Sequence, residues 1–96
     1  GTDLPAYRVV YRTEPANGGQ YRVKLQVLQE NVPETFQAYV PITLDLGQDR
    51  TARLRVKVKG PKSDIELPLM PGNPKSLRFN DLDGVLAEVK SVERRD

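Results

Sequence analysis

The chain has 96 residues, which fits one domain, 1–96, with a single modest core. It contains no cysteine and no histidine, so disulfides, thiolate metal sites and the usual general base and metal ligand of hydrolases are excluded. The 15 basic and 13 acidic residues leave a net charge of only +2, which is a poor signature of nucleic-acid binding.

The dominant pattern is an alternation of apolar and polar residues, which is typical of strands with one buried and one wet face. A first strand is predicted around Tyr7–Tyr11, and it leads to a hairpin turn in which Asn17-Gly18 supplies positive φ angles. An alternating strand over 21–27 is expected to pair with it. A long third strand is predicted over 36–45, and because Pro41 has no N–H, this strand is expected at a sheet edge or bulged there.

The second half of the chain continues the pattern with shorter segments. After a turn at 47–50, residues 52–59 alternate without interruption, and short strands are predicted over 65–69 and 77–79. The segment 85–92 fits either a helical stripe or a strand, and a closing strand is favoured. Strands at roughly 8–12-residue spacing, joined by Gly, Pro and Asn turns, predict an all-β fold. The expected architecture is an antiparallel β-sandwich of about seven strands, immunoglobulin-like or fibronectin-III-like in layout.

The most distinctive surface feature is a row of cations on the outer face of the fourth predicted strand. The row consists of Arg53, Arg55, Lys57 and Lys59. Alternate residues of a strand lie about 6.5–7 Å apart, so the four cations follow one another along one face as a possible docking surface. If Arg8, Arg12, Arg22 or Lys24 shares that face, the row becomes a basic patch suited to an acidic partner surface or a polyanion. The favoured interpretation of the row is a solvated face whose charges discourage edge-to-edge pairing of strands.

Tyr39 is the second candidate for a contact surface, since it falls on the face opposite Phe36 and Val40. It is expected either exposed beside Pro41, as part of an apolar contact patch, or packed under a loop.

No residue is predicted to be catalytic or to bind a metal. The stretch 81–84 resembles the opening of a calcium loop, but Val85 and Val92 occupy the fifth and twelfth positions, where oxygen ligands are needed. A turn held by Asp side chains is the better interpretation. A glycosidase that works with two carboxylates needs no histidine, but it needs a cleft for which a sandwich of this size has little room.

Three stretches resemble the β-sandwich domain that follows the catalytic domain of aminopeptidase-N-like zinc metallopeptidases. They are the glycine, proline and tyrosine lead at 1–7, the strand ending in Val27-Leu28-Gln29 with the proline-containing strand 36–42, and the closing pattern from Pro74 to Leu86. The resemblance implies a non-catalytic accessory domain that braces the catalytic domain of the same chain. Zinc is then expected in that catalytic domain and no cofactor in this one, because the family's His-Glu-x-x-His segment needs histidine.

Two hypotheses follow from these observations. The first is an accessory domain from the C-terminal part of a larger peptidase-like protein, for which a start at Gly1 rather than at methionine is expected. The alternative is a free-standing recognition module that binds a protein or a polyanion through the basic strand face. In both, no nucleic-acid partner and no membrane segment are expected, and the isolated domain is expected to be monomeric.

Overall fold

The computed structural model describes residues 4–81 and 85–96, and these residues form an all-β fold without an α-helix. Its strands are β1 (Ala6–Pro15), β2 (Tyr21–Glu30), β3 (Gln37–Gly47), β4 (Arg50–Lys59), β5 (Lys62–Glu66), β6 (Ser76–Phe79) and β7 (Glu88–Arg94). A short 3₁₀ turn, Asn17–Gly19, joins β1 to β2, and the positive φ angles lie at Gly18 and Gly19. β1 to β4 form where apolar residues alternate with polar ones, as the sequence predicts.

The strands are divided between two sheets that pack face to face. One sheet has the order β5-β2-β1-β7 and the other has the order β4-β3-β6. The predicted β-sandwich is confirmed. All the pairings within the described residues are antiparallel except that of β1 with β7, which run parallel. This departs from a purely antiparallel layout, and residue alternation carries no information about the direction in which distant strands meet.

The core lies between the two sheets and consists of the inward rows of both. Its fully buried side chains include Tyr7, Val9, Val23, Val27, Val40, Ile42, Leu44 and Val58. The rings of Tyr7 and Phe79 meet edge to face, with their centroids 5.0 Å apart, and so join a strand of each sheet. Burial of each such large apolar side chain contributes about 1.5–3 kcal/mol, which makes this layer the main source of stability.

Pro41 does not place β3 at a sheet edge, and it produces no bulge at its own position. β3 is the central strand of its sheet, it pairs with β4 through Pro41 opposite Arg55, and the irregularity in register lies between Asp45 and Gly47. The proline is tolerated because the pairing of β6 with β3 stops at Ile42 opposite Phe79. Pro41 would need an N–H only on the side of β3 that faces β6. Among the described residues no strand pairs with β3 there, so the missing N–H costs no hydrogen bond.

Two predicted segments form strands with shifted bounds. β5 begins and ends earlier than the predicted strand 65–69, and Leu67 follows it with a backbone bond to Val23. The segment 85–92 contains a strand rather than a helix, and it is β7. The turn or calcium loop considered at 81–84 includes Leu82, Asp83 and Gly84, which lie outside the described residues, as do residues 1–3 of the family-like lead.

The chain passes from one sheet to the other between β4 and β5. Gly60 adopts a φ of 66° at this crossing. The buried Gln29 holds the crossing in place, because its side-chain amide donates to the Gly60 carbonyl at 2.8 Å and its backbone N–H donates to the Pro61 carbonyl at 2.8 Å. β4 lies at the edge of the three-stranded sheet, where β3 is its one neighbour among the described strands.

Candidate docking surface

The outer face of the three-stranded sheet carries the predicted row of cations. Arg53, Arg55, Lys57 and Lys59 are all exposed, because they alternate along β4 with half-buried and buried apolar residues. Tyr39 lies opposite Lys57 in the register and is 61% exposed, so it is not packed under a loop. Pro41 lies opposite Arg55 on the same face. The sequence-predicted residues thus lie on one continuous surface.

Arg78 belongs to this surface as well, although the sequence analysis does not assign it there. It is exposed on β6 between the buried residues Leu77 and Phe79. In the register it lies opposite Thr43, which on its other side lies opposite Arg53. Alternation alone places Arg78 on an outer face, but only the strand order reveals which one. We use the term basic face for Arg53, Arg55, Lys57, Lys59 and Arg78 together with Tyr39.

Few carboxylates lie near the basic face in the part of the chain that the structure describes. Asp81 aside, no carboxylate of residues 4–80 or 85–96 lies within 4.0 Å of a charged nitrogen of Arg53, Arg55, Lys57, Lys59 or Arg78. Like charges in a row repel one another, and the described carboxylates near this surface, those of Asp45, Asp49 and Asp81, lie at its hairpin end only. The face therefore favours a partner that brings negative charge.

The other outer face, on the four-stranded sheet, differs in its charge balance. Arg8, Arg12, Arg22 and Lys24 lie there, on β1 and β2, so the condition for a patch that unites them with the β4 row is not met, and the basic face lacks them. Arg8 pairs with Glu30 at 2.7 Å, and Arg22 and Lys24 both pair with Glu14, at 3.4 Å and 3.3 Å. Arg8, Arg22 and Lys24 are thus paired with carboxylates of the neighbouring strand, and no such pair is seen for the cations on β4.

The same ion pairs shift the titration of the two glutamates. The hydrogen bond and positive charge of Lys24, assisted by Arg22, lower the pKa of Glu14 below its ordinary value. The hydrogen bonds from Arg8 and Lys90 likewise lower the pKa of Glu30. Both carboxylates consequently stay ionised at neutral pH, and the outer face of the four-stranded sheet stays close to electrically neutral.

A polar groove of about 470 Å³ lies at the hairpin end of the basic face. It is lined by the cations Arg53, Lys75 and Arg78 and by the carboxylates of Asp45, Asp49 and Asp81. Two of the carboxylates have structural partners, since Asp81 accepts a 2.6 Å hydrogen bond from the Thr43 hydroxyl and Asp45 accepts one from the Gly47 N–H at 2.8 Å. Because its lining charges are equal in number, the groove has no marked preference for an anion or a cation.

Two further features of the described residues concern metal ions and membranes. No group of three or more Asp or Glu side chains in 4–81 and 85–96 is arranged to hold a metal ion. No helix of the described residues is long and apolar enough to cross a membrane. A second groove, of about 570 Å³, runs over the other sheet beside Lys24 and Glu66, and it carries no cluster of reactive side chains.

Comparison of the chain with protein-family models, with curated proteins and with solved structures found no significant match.

Proposed function

We propose that this chain is a non-catalytic accessory domain that docks onto an acidic protein surface through the basic face. The observation that carries the proposal is the contrast between the two outer faces. On one, Arg8, Arg22 and Lys24 are neutralised by glutamates of neighbouring strands. On the other, five cations share one sheet surface, and among the described residues no carboxylate other than that of Asp81 is a candidate to lie within 4.0 Å of them.

The composition of the basic face is that of a protein interface. Tyr39 and Pro41 provide an apolar centre, and arginines and lysines surround it. Tyrosine and arginine are the residues that most often carry binding energy at interfaces, whereas exposed lysines at the rim mainly steer the encounter. A partner surface with carboxylates placed over Arg53 and Arg55 gains charge-assisted hydrogen bonds that the free domain does not make.

The resemblance to aminopeptidase-N-like sandwich domains supplies the proposed partner. In that arrangement the basic face packs on the catalytic domain of the same polypeptide, which holds the zinc ion, and the sandwich braces it. The accessory role agrees with the composition, because a chain without histidine and cysteine has none of the ligands that usually hold a catalytic zinc.

The proposal is tested first on the coding sequence and then on the whole polypeptide. The reading frame that encodes this chain is expected to encode a His-Glu-x-x-His segment upstream. In the full-length protein, the triple change Arg53→Gln, Arg55→Gln and Lys57→Gln is expected to lower the unfolding temperature of the catalytic domain in calorimetry. The matched control, Arg8→Gln, Arg12→Gln and Lys24→Gln, removes the same charge from the other face and is expected to leave that temperature unchanged.

Two results would contradict this function. One is a continuous reading frame without the zinc-binding segment, which removes the peptidase partner. The other is equal behaviour of the two triple variants, because the basic face would then contribute no more to docking than the neutralised face does.

A free-standing module that binds a polyanion is the second candidate, and the spacing of the cations favours it. Arg53, Arg55, Lys57 and Lys59 repeat along β4 at intervals of about 6.5–7 Å, in a straight row. Binding of heparin or single-stranded DNA is then expected to weaken steeply with salt and to fall in the triple glutamine variant. Failure to bind either polymer at low salt would exclude this function.

A further inference from the structure

The free edge of β4 is the feature from which a partner segment can be inferred. β4 spans ten residues and is the longest of the strands at the sheet edges, since β5, β6 and β7 have five, four and seven residues. Within residues 4–81 and 85–96, β3 is the one strand that pairs with it. Long edge strands present unpaired backbone groups along their whole length, and these groups are a template for another strand.

The direction of the backbone groups along β4 follows from two contacts at its end. The N–H of Gly60 donates to the Phe36 carbonyl at 2.8 Å, on the β3 side. The N–H and carbonyl of Lys59 instead bond the Ser63 hydroxyl, at 2.9 Å and 3.1 Å, on the opposite side. Backbone groups in an antiparallel strand point alternately to one side and the other. The even-numbered residues of β4 therefore bond β3, and the odd-numbered ones point to the free edge.

The residues that point to the free edge are Thr51, Arg53, Arg55 and Lys57. No hydrogen bond to their outward backbone groups is made by any residue of 4–81 or 85–96. Three of these four also carry the cations of the basic face. The unpaired backbone groups and the positive side chains thus belong to the same residues at Arg53, Arg55 and Lys57.

An added strand would meet two kinds of environment. Its outward side chains would lie beside Arg53, Arg55 and Lys57 at about 5 Å between β-carbons, a distance at which opposite charges attract and like charges repel. Its inward side chains would lie beside Ala52 and Leu54, which are only half-buried against the core. The segment that fits this edge therefore alternates acidic and apolar residues. A second copy of β4 does not fit, because it would bring its own cations.

We infer that the free edge of β4 binds an extended segment of a protein partner as an additional strand, with acidic and apolar residues in alternation. This mode of recognition joins the backbone bonds of a sheet to side-chain specificity. It rests on the proposed function in one respect, that the partner of the basic face is an acidic protein. It adds that the partner's contact segment is extended and pairs with β4 over Thr51 to Lys57.

The test uses a capped peptide of seven residues, matching Thr51 to Lys57, in which Glu and Val alternate. Titration into the domain, followed by backbone amide NMR, is expected to shift the resonances of Thr51, Arg53, Arg55 and Lys57. A scrambled peptide, with the glutamates in one block and the valines in another, has the same charge and composition. It is expected to bind about tenfold more weakly, because it cannot place a carboxylate at every second position.

Two variants separate strand addition from simple charge attraction. Arg55→Ala removes a cation and keeps the outward N–H, whereas Arg55→Pro removes both. Proline is tolerated on an edge strand where its missing N–H faces away from the neighbour, and the retained dispersion of the amide spectrum shows that the domain is folded. Arg55→Pro is expected to weaken the alternating peptide about tenfold more than Arg55→Ala does, because backbone bonds are lost in addition to the charge.

The outcomes also distinguish the two proposals. Equal affinity of the alternating and scrambled peptides, or equal loss in Arg55→Pro and Arg55→Ala, overturns the strand addition. The docking role of the basic face survives that result if the triple glutamine variant of the full-length protein still loses stability. If the triple variant has no effect while the alternating peptide still binds in register, strand addition stands and the bracing role fails. Binding of heparin in preference to both peptides overturns the strand addition in favour of a polyanion.

Discussion

Tyr7 is an unusual residue of the core, because its phenol is fully buried and its hydroxyl has no hydrogen-bond partner among the described residues. Burial raises its pKa above the ordinary tyrosine value, so the group is neutral at any physiological pH. A buried hydroxyl without a partner lowers the stability of the fold, because its desolvation is not compensated by a hydrogen bond.

The substitution Tyr7→Phe is therefore expected to stabilise the domain by about 1 kcal/mol, since it removes the unpaired hydroxyl and keeps the ring against Phe79. Urea unfolding followed by circular dichroism measures the change. Tyr39→Phe removes an exposed hydroxyl and is the control, with no change expected. A loss of stability in Tyr7→Phe would show that the hydroxyl has a partner outside residues 4–81 and 85–96.

Asp96 links the end of the described chain to β1. The Thr13 N–H and the Arg94 guanidinium each donate a hydrogen bond of 2.7 Å to the Asp96 carboxylate. These two bonds lower the pKa of Asp96 below its ordinary value of 3.8, and the bond from Thr13 has the larger effect. Arg94 also donates to the Pro74 carbonyl at 2.6 Å, so the carboxylate is part of a clasp over the loop before β6.

This lowered pKa predicts a pH dependence of stability with a definite sign. A carboxylate whose pKa is lower in the folded state stabilises the fold above its unfolded pKa, near 3.8, and the contribution is lost as the pH falls through the folded value. The difference in unfolding free energy between the natural chain and Asp96→Asn is therefore expected to be constant above about pH 5 and to shrink below pH 3.8. A difference that is independent of pH would contradict the clasp.

At the scale of strands, alternation predicts which residues form β1 to β4 and which side of each strand is buried. It places Arg53, Arg55, Lys57 and Tyr39 on outer faces, as observed. It cannot show that Arg78 joins them, or that Arg8 lies on the opposite side of the molecule, because those facts depend on strand order. Strand order follows from loop geometry and from packing between sheets, neither of which leaves a local pattern in the sequence.

The crossing between β4 and β5 depends on glycine at position 60. Gly60 has a φ of 66°, and a β-carbon there would lie 2.9 Å from the Glu34 carbonyl oxygen. Gly18 has a similar φ of 72° but no atom within 4 Å of such a carbon. The two glycines separate the cost of the backbone conformation from the cost of a steric clash.

Gly60→Ala is expected to destabilise the domain by about 3 kcal/mol, and Gly18→Ala by about 1 kcal/mol, because only the first adds a clash with backbone to the left-handed strain. Chemical unfolding of both variants gives the comparison. Equal costs would mean that the loop containing Glu34 moves aside freely, and that the crossing does not hold β4 at its place on the sheet edge.

At the scale of the whole molecule, the net charge is only +2, but the outer faces of the two sheets differ in how their cations are paired. The four-stranded sheet pairs most of its outward cations with glutamates, and among the described residues no such pair is seen for the cations on β4. These cations lie on the longest edge strand. The same residues are thus placed to repel a second copy of the domain, and in the proposed function they are the residues that meet an acidic partner.

The repulsion between copies gives a prediction that does not depend on any partner. Replacing Arg53, Arg55 and Lys57 by threonine keeps residues that favour strands but removes the charges from the free edge of β4. The triple variant is expected to associate through that edge, giving a concentration-dependent dimer in sedimentation experiments, while the natural chain sediments as a monomer.

The matched control replaces Arg12, Arg22 and Lys24 by threonine. It removes the same charge from β1 and β2, which have a neighbouring strand on each side and so offer no free edge. It is expected to remain monomeric at every concentration. Dimerisation of both variants would assign the effect to net charge, and a monomer in both would show that the edge of β4 is closed to strand pairing by its geometry rather than by its cations.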